Sequence, residues 1–271
     1  MPIQKEIWLD HFVQDLFPDN SFLSKSFNAD EFVRAGKVVH IPGSGAEIKA
    51  SVGPIARPKV ASEKVDQEVQ FSLSEFYTDP IYIPNADKYE LSYDKRATVL
   101  SAARGALDDV IANKMIDKWF LEGNAEDVDV KTMTRKAVRE AQKHFNITDI
   151  PQEDRYLLLS AEAYDQLLGD LTEAQSNAFL ASADAANGII GKLYGFNVML
   201  RSIISEGTIY GVAWHKNYVC RAIGSYEMFV QENDPLYYAD VLSFLVRAGG
   251  AHMDIGCAGT YIFGKDKTPN T

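Results

Sequence analysis

The chain has 271 residues, of which 46% are hydrophobic and 24% are charged, so it has enough apolar material for a sizeable globular core. Its formal net charge of −11 argues against a protein that works by gripping nucleic-acid phosphates, which normally presents a basic surface. No stretch reaches the ~18 to 20 uncharged apolar residues of a membrane helix, and charged residues near the N-terminus exclude a signal peptide, so we expect no membrane contact.

The first segment of the chain, Pro2–Phe17, predicts a helix that Pro18 ends. Its apolar residues recur at helical spacing: Ile3, Ile7, Trp8, Phe12 and Leu16. Two interpretations stay open, namely a short helix docked on the chain's own body and an arm that binds a neighbouring subunit.

Residues 37–89 predict a long, polar, turn-rich β-hairpin. The first arm runs into the turn sequence Pro42–Gly45, and a charged run follows from Ser62 to Glu68. Alternating apolar residues mark the two arms: Val38, Val39 and Ile41 in the first, and Val69, Phe71, Leu73, Tyr77, Ile81 and Ile83 in the second. A hairpin with so few apolar residues is marginal alone, so it must lie against the chain's own body or another subunit.

A long helix is predicted from Asp94, a suitable N-cap, to Glu122, with Gly123 as the stop. The segment contains no proline, and its apolar residues form one stripe: Leu100, Ala103, Leu107, Val110, Ile111, Met115, Trp119 and Phe120. Such a helix would be ~40 Å long at 1.5 Å per residue, which is long for a compact domain and indicates a structural spine.

The remainder of the chain predicts a body of helices and short strands. A second helix covers Thr132–Phe145, a short strand covers Tyr156–Leu159, and a third helix begins at Ser160. The alanine-rich segment Asp170–Ala186 is predicted to be helical or mobile. Further strands are expected at Phe196–Leu200, Thr208–Ala213, Glu227–Gln231, Val241–Ala248 and Tyr261–Phe263. The fold class is therefore α+β.

Candidate nucleophiles have simpler structural explanations. Ser160 lies between a strand and a helix, as a hydrolase nucleophile does, but no glycine occupies the elbow positions and a helix N-cap explains it. Cys220 lies in an apolar run that favours a buried thiol, and with Cys257 it makes neither a disulfide framework nor a zinc motif. A reducing, cytoplasmic site of synthesis fits these cysteines. We expect no catalytic residue and no enzyme; an α/β hydrolase is the alternative, and it rests on Ser160 alone.

Metal and cofactor sites are also not expected. Gly43–Gly45 lacks the lysine and the following helix of a phosphate-binding loop and predicts a turn. The histidines have no partner at metal-ligand spacing: His11, His40, His144, His215 and His252. Two groups of carboxylates could hold a divalent ion: Asp108 with Asp109, and Glu126 with Asp127 and Asp129. The first two are adjacent on a helix and point apart, and the other three belong to an acidic loop, which is usually solvated.

Several stretches, taken in order, resemble the coat proteins of tailed double-stranded-DNA phages with the Hong Kong 97-type capsid fold. Asn187–Val198 resembles the family pattern NG-x-x-G-x-x-x-GF-x-V, whose glycines suit tight turns and close backbone approach. Asp154–Ser160 is similar to the strand and helix that enter the family's axial domain. Ala213–Lys216 and Tyr93–Lys95 are similar to a later strand end and to the head of the spine helix.

The resemblance implies an N-terminal arm, an extended β-hairpin loop, a long spine helix, and peripheral and axial domains. The implied boundaries are 1–37 for the arm, 38–92 for the extended loop, 93–148 for the peripheral domain with the spine helix, 149–225 for the axial domain, and 226–271 for strands that return to the peripheral domain. The hairpin is expected to lie over the spine helix of a neighbouring subunit.

The function that this resemblance implies is self-assembly into the icosahedral head of a tailed phage. The chain would form hexamers and pentamers with itself, together with possible separate scaffolding, portal and decoration proteins. It would enclose double-stranded DNA without sequence-specific binding, be assembled in the host bacterial cytoplasm and end in the virion. The inner face of the shell is expected to be less acidic than the outer one.

Two departures and one alternative accompany the resemblance. Residues 1–37 leave no room for the large N-terminal scaffolding extension of some members. Lys59 and Lys64 lie in the candidate loop, but no acceptor for a covalent cross-link is identified. The alternative is an encapsulin-type nanocompartment shell enclosing enzyme cargo, with the N-terminal helix facing the cargo.

Overall fold

The computed structural model describes residues 20–34, 37–43, 67–84, 95–121, 126–204, 208–253 and 259–265, and the segment Pro2–Phe17 lies outside them. The α-helices are α1 Lys95–Ile116, α2 Arg135–Ile147, α3 Ala161–Asp170 and α4 Glu173–Ala181. The strands are β1 Phe27–Asn28, β2 Val33–Arg34, β3 Val38–Gly43, β4 Gln67–Ser72, β5 Ser74–Tyr77, β6 Ile81–Pro84, β7 Glu126–Val130, β8 Arg155–Ser160, β9 Gly191–Leu193, β10 Phe196–Arg201, β11 Ile209–His215, β12 Val219–Asp234, β13 Ala239–His252 and β14 Thr260–Lys265. The predicted α+β class is confirmed.

The first sheet is built on the antiparallel hairpin of β12 and β13. β1 pairs with β12, and both β5 and β6 pair with β13. The two central strands are longer than the sequence predicted, because glycines inside them permit close contacts instead of ending the strands. A Cβ at Gly250 would lie 2.7 Å from the carbonyl oxygen of Cys220 and from Nε1 of Trp119, and one at Gly249 would lie 3.0 Å from Leu73.

α1 packs its apolar stripe against this sheet, except for Val110, which was predicted in the stripe but is 54% exposed. The described part of the helix otherwise follows the predicted spine helix. Leu107 and Ile111 are buried with Phe244 and Val246 of β13 in one core cluster. The helix does not continue as an α-helix to Glu122: Asp117–Leu121 forms a π-helical turn. Asp94, Glu122 and Gly123 lie outside the described residues.

The π-helical turn fits the burial of two consecutive aromatic residues. Trp119 and Phe120 are both buried, and Nε1 of Trp119 donates to the carbonyl oxygen of Cys220 at 2.8 Å. Wider turns of this kind reorient side chains that an α-helix would direct elsewhere. Trp119 also contacts Trp214 and Phe22, with ring centroids 6.3 and 6.2 Å apart, so an aromatic group joins the first sheet to the second.

The second sheet has the strand order β7-β14-β11-β8-β10-β9. β8 is buried at every position, as its continuous apolar run requires, and it pairs in parallel with β10. α2 and α3 pack on one face of this sheet. The last strand, β14, lies between β7 and β11, whereas the family resemblance implied that residues 226–271 return together to the peripheral domain. A strand's own pattern does not specify its partner, and here β14 pairs with strands far away in sequence.

The predicted hairpin is present at its base. β3 and β4 pair antiparallel from Val38↔Ser72 to Gly43↔Gln67, and β2 adds a third strand. Val39 and Ile41 are buried with Leu73, Cys220 and other residues, so the base packs on β12. The second arm ends at Ser72, and the alternating residues that follow it belong to the first sheet through β5 and β6.

Candidate assembly surfaces

The two candidate nucleophiles that the structure describes have structural roles. The Ser160 hydroxyl accepts a hydrogen bond from the backbone N–H of Ala163 at 3.2 Å, as the N-cap of α3. Cys220 is buried, its thiol donates to the carbonyl oxygen of Ala251 at 3.3 Å, and burial raises its pKa to about 12. A thiol with so high a pKa stays protonated near neutral pH, so it lacks the thiolate that a nucleophile needs. Cys257 lies outside the described residues.

The histidines are dispersed in the part of the chain that the structure describes. His40 contacts Glu68 across the hairpin at 2.6 Å, and His252 contacts Thr260 at 3.2 Å. Nδ1 of His215 accepts from the backbone N–H of Asn217, and burial lowers the pKa of this imidazole. Within the described ranges, no three histidine, cysteine or carboxylate side chains lie together as a metal site would require.

The candidate carboxylates lie on two different elements. Asp108 is buried and Asp109 is exposed, so these neighbours on α1 point apart as expected. Glu126, Asp127 and Asp129 were predicted in an acidic loop, but they lie on strand β7, which pairs with β14. Their side chains are outside the described set. His11 also lies outside it. Among the helices that are described, none is long and apolar enough to cross a membrane.

The glycines of the stretch Asn187–Val198 have the roles that the sequence suggested. Gly188 and Gly195 adopt left-handed backbone conformations with φ of 70° and 83°, which suit glycine. Gly191 lies under the ring of Phe179, where a Cβ would come within 2.6 Å of the ring. This contact anchors α4, since Phe179 is that helix's buried residue.

A groove lies between α1 and the segment that joins β5 to β6. It has a volume of about 530 Å³, and the buried residues Ala103, Leu107 and Phe76 line it. Exposed residues of both elements complete the lining: Ala102, Ala106 and Val110 from α1, and Glu75, Tyr77 and Asp79 from the strand segment. The groove is therefore apolar along the helix and carries two carboxylates on the sheet side.

The turn between β12 and β13 presents exposed apolar side chains at the end of the first sheet. Leu236 is 83% exposed, Tyr237 58% and Tyr238 79%. We call Leu236–Tyr238 the aromatic tip. Tyr237 stacks on Tyr82 of β6, with ring centroids 5.9 Å apart and an interplanar angle of 18°. Exposed aromatic residues grouped in this way mark interaction sites.

Two buried aspartates fix the backbone of the aromatic tip. Asp234 accepts from the N–H of Leu236 at 2.8 Å, and Asp240 accepts from the N–H of Asn233 at 3.0 Å. Tyr238 has φ of 50°, a left-handed conformation that is costly for a bulky residue. The backbone of the tip is thus held by hydrogen bonds, and its side chains are exposed. The sequence pattern did not reveal the tip, although the four apolar residues between Pro235 and Asp240 are unusual for a turn.

Comparison with solved structures supports a capsid fold. The chain is similar to a capsid structure of cyanophage P-SCSP1u, with 13% identity, a TM-score of 0.63, and coverage of 90% of this chain and 87% of that one. A structure of Mycobacterium phage Che8 has 18% identity, a TM-score of 0.63 and coverage of 89% and 90%. The capsid of Ralstonia phage GP4 has 12% identity, a TM-score of 0.65 and coverage of 91% and 89%.

These likenesses confirm the Hong Kong 97-type capsid fold. Comparison with curated proteins found no match to the sequence. The model of the family described as "Phage capsid protein" matches residues 46–257, which is most of the chain. The match supports a structural, shell-forming protein of phage type, and it does not favour the encapsulin alternative. The chain belongs to the phage capsid protein family.

Proposed function

We propose that the chain self-assembles as hexamers and pentamers into the icosahedral head of a tailed phage and encloses its double-stranded DNA. The family match over residues 46–257 is the observation that carries this proposal. The net charge of −11 suits a container that holds DNA without sequence-specific binding. The same proposal includes a structural, non-enzymatic role and assembly in the host cytoplasm. It also includes separate scaffolding, portal and decoration proteins.

The domain boundaries that we propose follow the two sheets. The N-terminal arm is 1–37, and the extended loop ends at residue 72 instead of 92, because β5 and β6 pair with β13. The peripheral domain then comprises 74–121 and 219–252, and the axial domain comprises 126–215 and 260–265. This division assigns α2 and β14 to the axial domain, since they pack in or on the second sheet.

The extended loop of one subunit would lie in the groove along α1 of its neighbour. Residues 49–62 of the loop carry Lys49, Arg57 and Lys59 with no acidic residue, in a chain of net charge −11. The groove offers apolar surface together with Asp79 and with Glu75, whose carboxylate also pairs with Arg247 at 3.0 Å. Apolar contact and opposite charge are both favourable for such a pairing.

The aromatic tip would be a second contact between copies. The tip residues are uncharged, so two strongly acidic subunits can approach there without juxtaposing like charges. Rigid aromatic side chains lose little conformational entropy on binding, which favours them at interfaces. Each contact is modest, but every subunit makes several, so the lattice would be much more stable than any pair.

Deletion of Gly43–Glu68 tests the role of the extended loop. We expect a folded protein that fails to form shells; normal shells would contradict the proposal. The groove is tested separately with Ala106→Trp, which fills it from an exposed position on α1. Asn113→Trp is the matched control, since Asn113 is exposed on the same helix and does not line the groove. Shell yield by electron microscopy should fall for Ala106→Trp and not for the control.

A further inference from the structure

Two neighbouring helices form the layer of the axial domain that is turned away from α1. The second sheet has α2 and α3 on one face, whereas its opposite face packs with the core of α1 through Leu158 and Trp214. α2 and α3 are joined at Arg135, whose backbone N–H and Nε donate to Oδ2 of Asp170 at 2.8 and 3.1 Å. This layer is therefore a single surface with two flanks, one for each helix.

The solvent face of α2 is predominantly basic. Lys136, Arg139 and Lys143 are exposed and follow the spacing i, i+3, i+7, so they form one row on the helix. The row spans ~10 Å, since seven residues advance 1.5 Å each. Within the described part of the chain, these three side chains make no ion pair. They lie opposite the buried face of α2, which includes Val138 and Phe145.

The solvent face of the next helices is acidic. Glu162 and Asp165 are exposed one turn apart on α3, and Glu173 is exposed in the first turn of α4. Asp165 and Glu173 make no ion pair with any described residue. The same layer thus carries three cations and one carboxylate, Glu140, on the solvent face of α2, and three carboxylates on the adjacent pair of helices.

We propose that these faces bind each other between copies of the chain: the basic row of α2 in one subunit pairs with the acidic face of α3 and α4 in the next. A contact between two different patches of identical subunits is heterologous and closes into rings when the rotation allows. This inference rests on the proposed assembly into hexamers and pentamers, and it identifies one contact that holds such a ring.

A second copy of the chain fits the basic row better than DNA does. The exposed face of α2 has three cations against one carboxylate, the faces of α3 and α4 have three carboxylates, and copies in a ring bring these opposite charges together repeatedly. The chain's net charge of −11 opposes DNA binding at the remaining surface. Opposite charges at an interface also fix orientation and exclude wrong partners, as a ring requires.

Charge reversal with rescue tests this contact in the full-length protein. K136E/R139E/K143E and E162K/D165K/E173K should each lower the yield of rings and shells roughly tenfold or more, because each brings like charges together at every ring contact. The variant that combines all six changes has the wild-type net charge and should recover assembly. K136R/R139K/K143R keeps the charge and should assemble normally. Circular dichroism checks that each variant folds, and K136Q/R139Q/K143Q provides a milder substitution.

The outcomes separate this inference from the proposed function. Failure of the wild-type protein to form any ring or shell would overturn the proposed function. Normal shells from both reversed variants, or no recovery in the combined variant when it folds, would overturn the charged contact alone. Normal shells that hold less DNA in K136E/R139E/K143E would also overturn it, because the basic row would then face the genome.

Discussion

Replacing Tyr238 with glycine should change subunit stability and shell assembly in opposite directions. The residue has φ of 50°, and a left-handed conformation costs a non-glycine residue roughly 1–2 kcal/mol. Glycine removes this strain but loses ~0.5–1 kcal/mol more conformational entropy on folding. The isolated subunit should therefore become more stable by about 0.5–1 kcal/mol, or roughly 2 °C in Tm for a chain of this size.

The same substitution should weaken assembly. The Tyr238 side chain is 79% exposed, so burying it against another copy would contribute about 2 kcal/mol per contact. Its loss corresponds to roughly a 30-fold weaker contact. Urea denaturation of dissociated subunits, followed by tryptophan fluorescence, measures the first effect, and shell yield against protein concentration measures the second.

Asn233→Gly is the matched control for this experiment. Asn233 also has a left-handed backbone, with φ of 52°, but it contributes no aromatic side chain to the tip. The control should leave shell yield unchanged. Shells from Tyr238→Gly at the wild-type yield and concentration would refute the assembly role of the aromatic tip, and a less stable subunit would refute the strain argument.

Three further predictions concern the folded subunit. Arg155→Met should lower the free energy of unfolding by about 3 kcal/mol, because the buried guanidinium donates to the carbonyls of Pro151 and Ile150, which would lose their partner. Urea titration measures this change, and an unchanged midpoint would contradict it. Burial lowers the pKa of His215, so stability should fall as pH drops below ~6.5, and His215→Asn should remove part of that fall; parallel pH profiles would refute it. Gly191→Ala should displace Phe179 and therefore speed hydrogen exchange of the backbone amides in α4 alone. An unchanged exchange rate in α4 would contradict the role of the Gly191–Phe179 contact.

Local patterns specified much of this fold. The helix predicted for Thr132–Phe145 is α2, Arg135–Ile147, and the strand and helix around Ser160 are β8 and α3. These elements are set by residues close in sequence, namely an apolar period and a capping hydroxyl, so a single chain segment contains enough information to predict them.

The features that could not be predicted from the sequence depend on contacts between residues far apart in the chain. The π-helical turn at Asp117–Leu121 places Trp119 beside Gly250, more than a hundred residues away, and no local pattern encodes that meeting. The pairing of β5 and β6 with β13, which shortens the hairpin, has the same origin. The aromatic tip escaped detection because exposure depends on the packed structure, and three apolar residues alone do not reveal it.

Negative-stain electron microscopy of the purified protein, expressed alone and with its neighbouring genes, tests the central claim most directly. The absorbance ratio for nucleic acid is read on the same particles. We predict closed shells, tubes, hexamers or pentamers in at least one condition, with DNA and not enzyme as the enclosed material when shells form with the packaging genes. A protein that stays strictly monomeric under both conditions would contradict the assembly of this chain into a phage head.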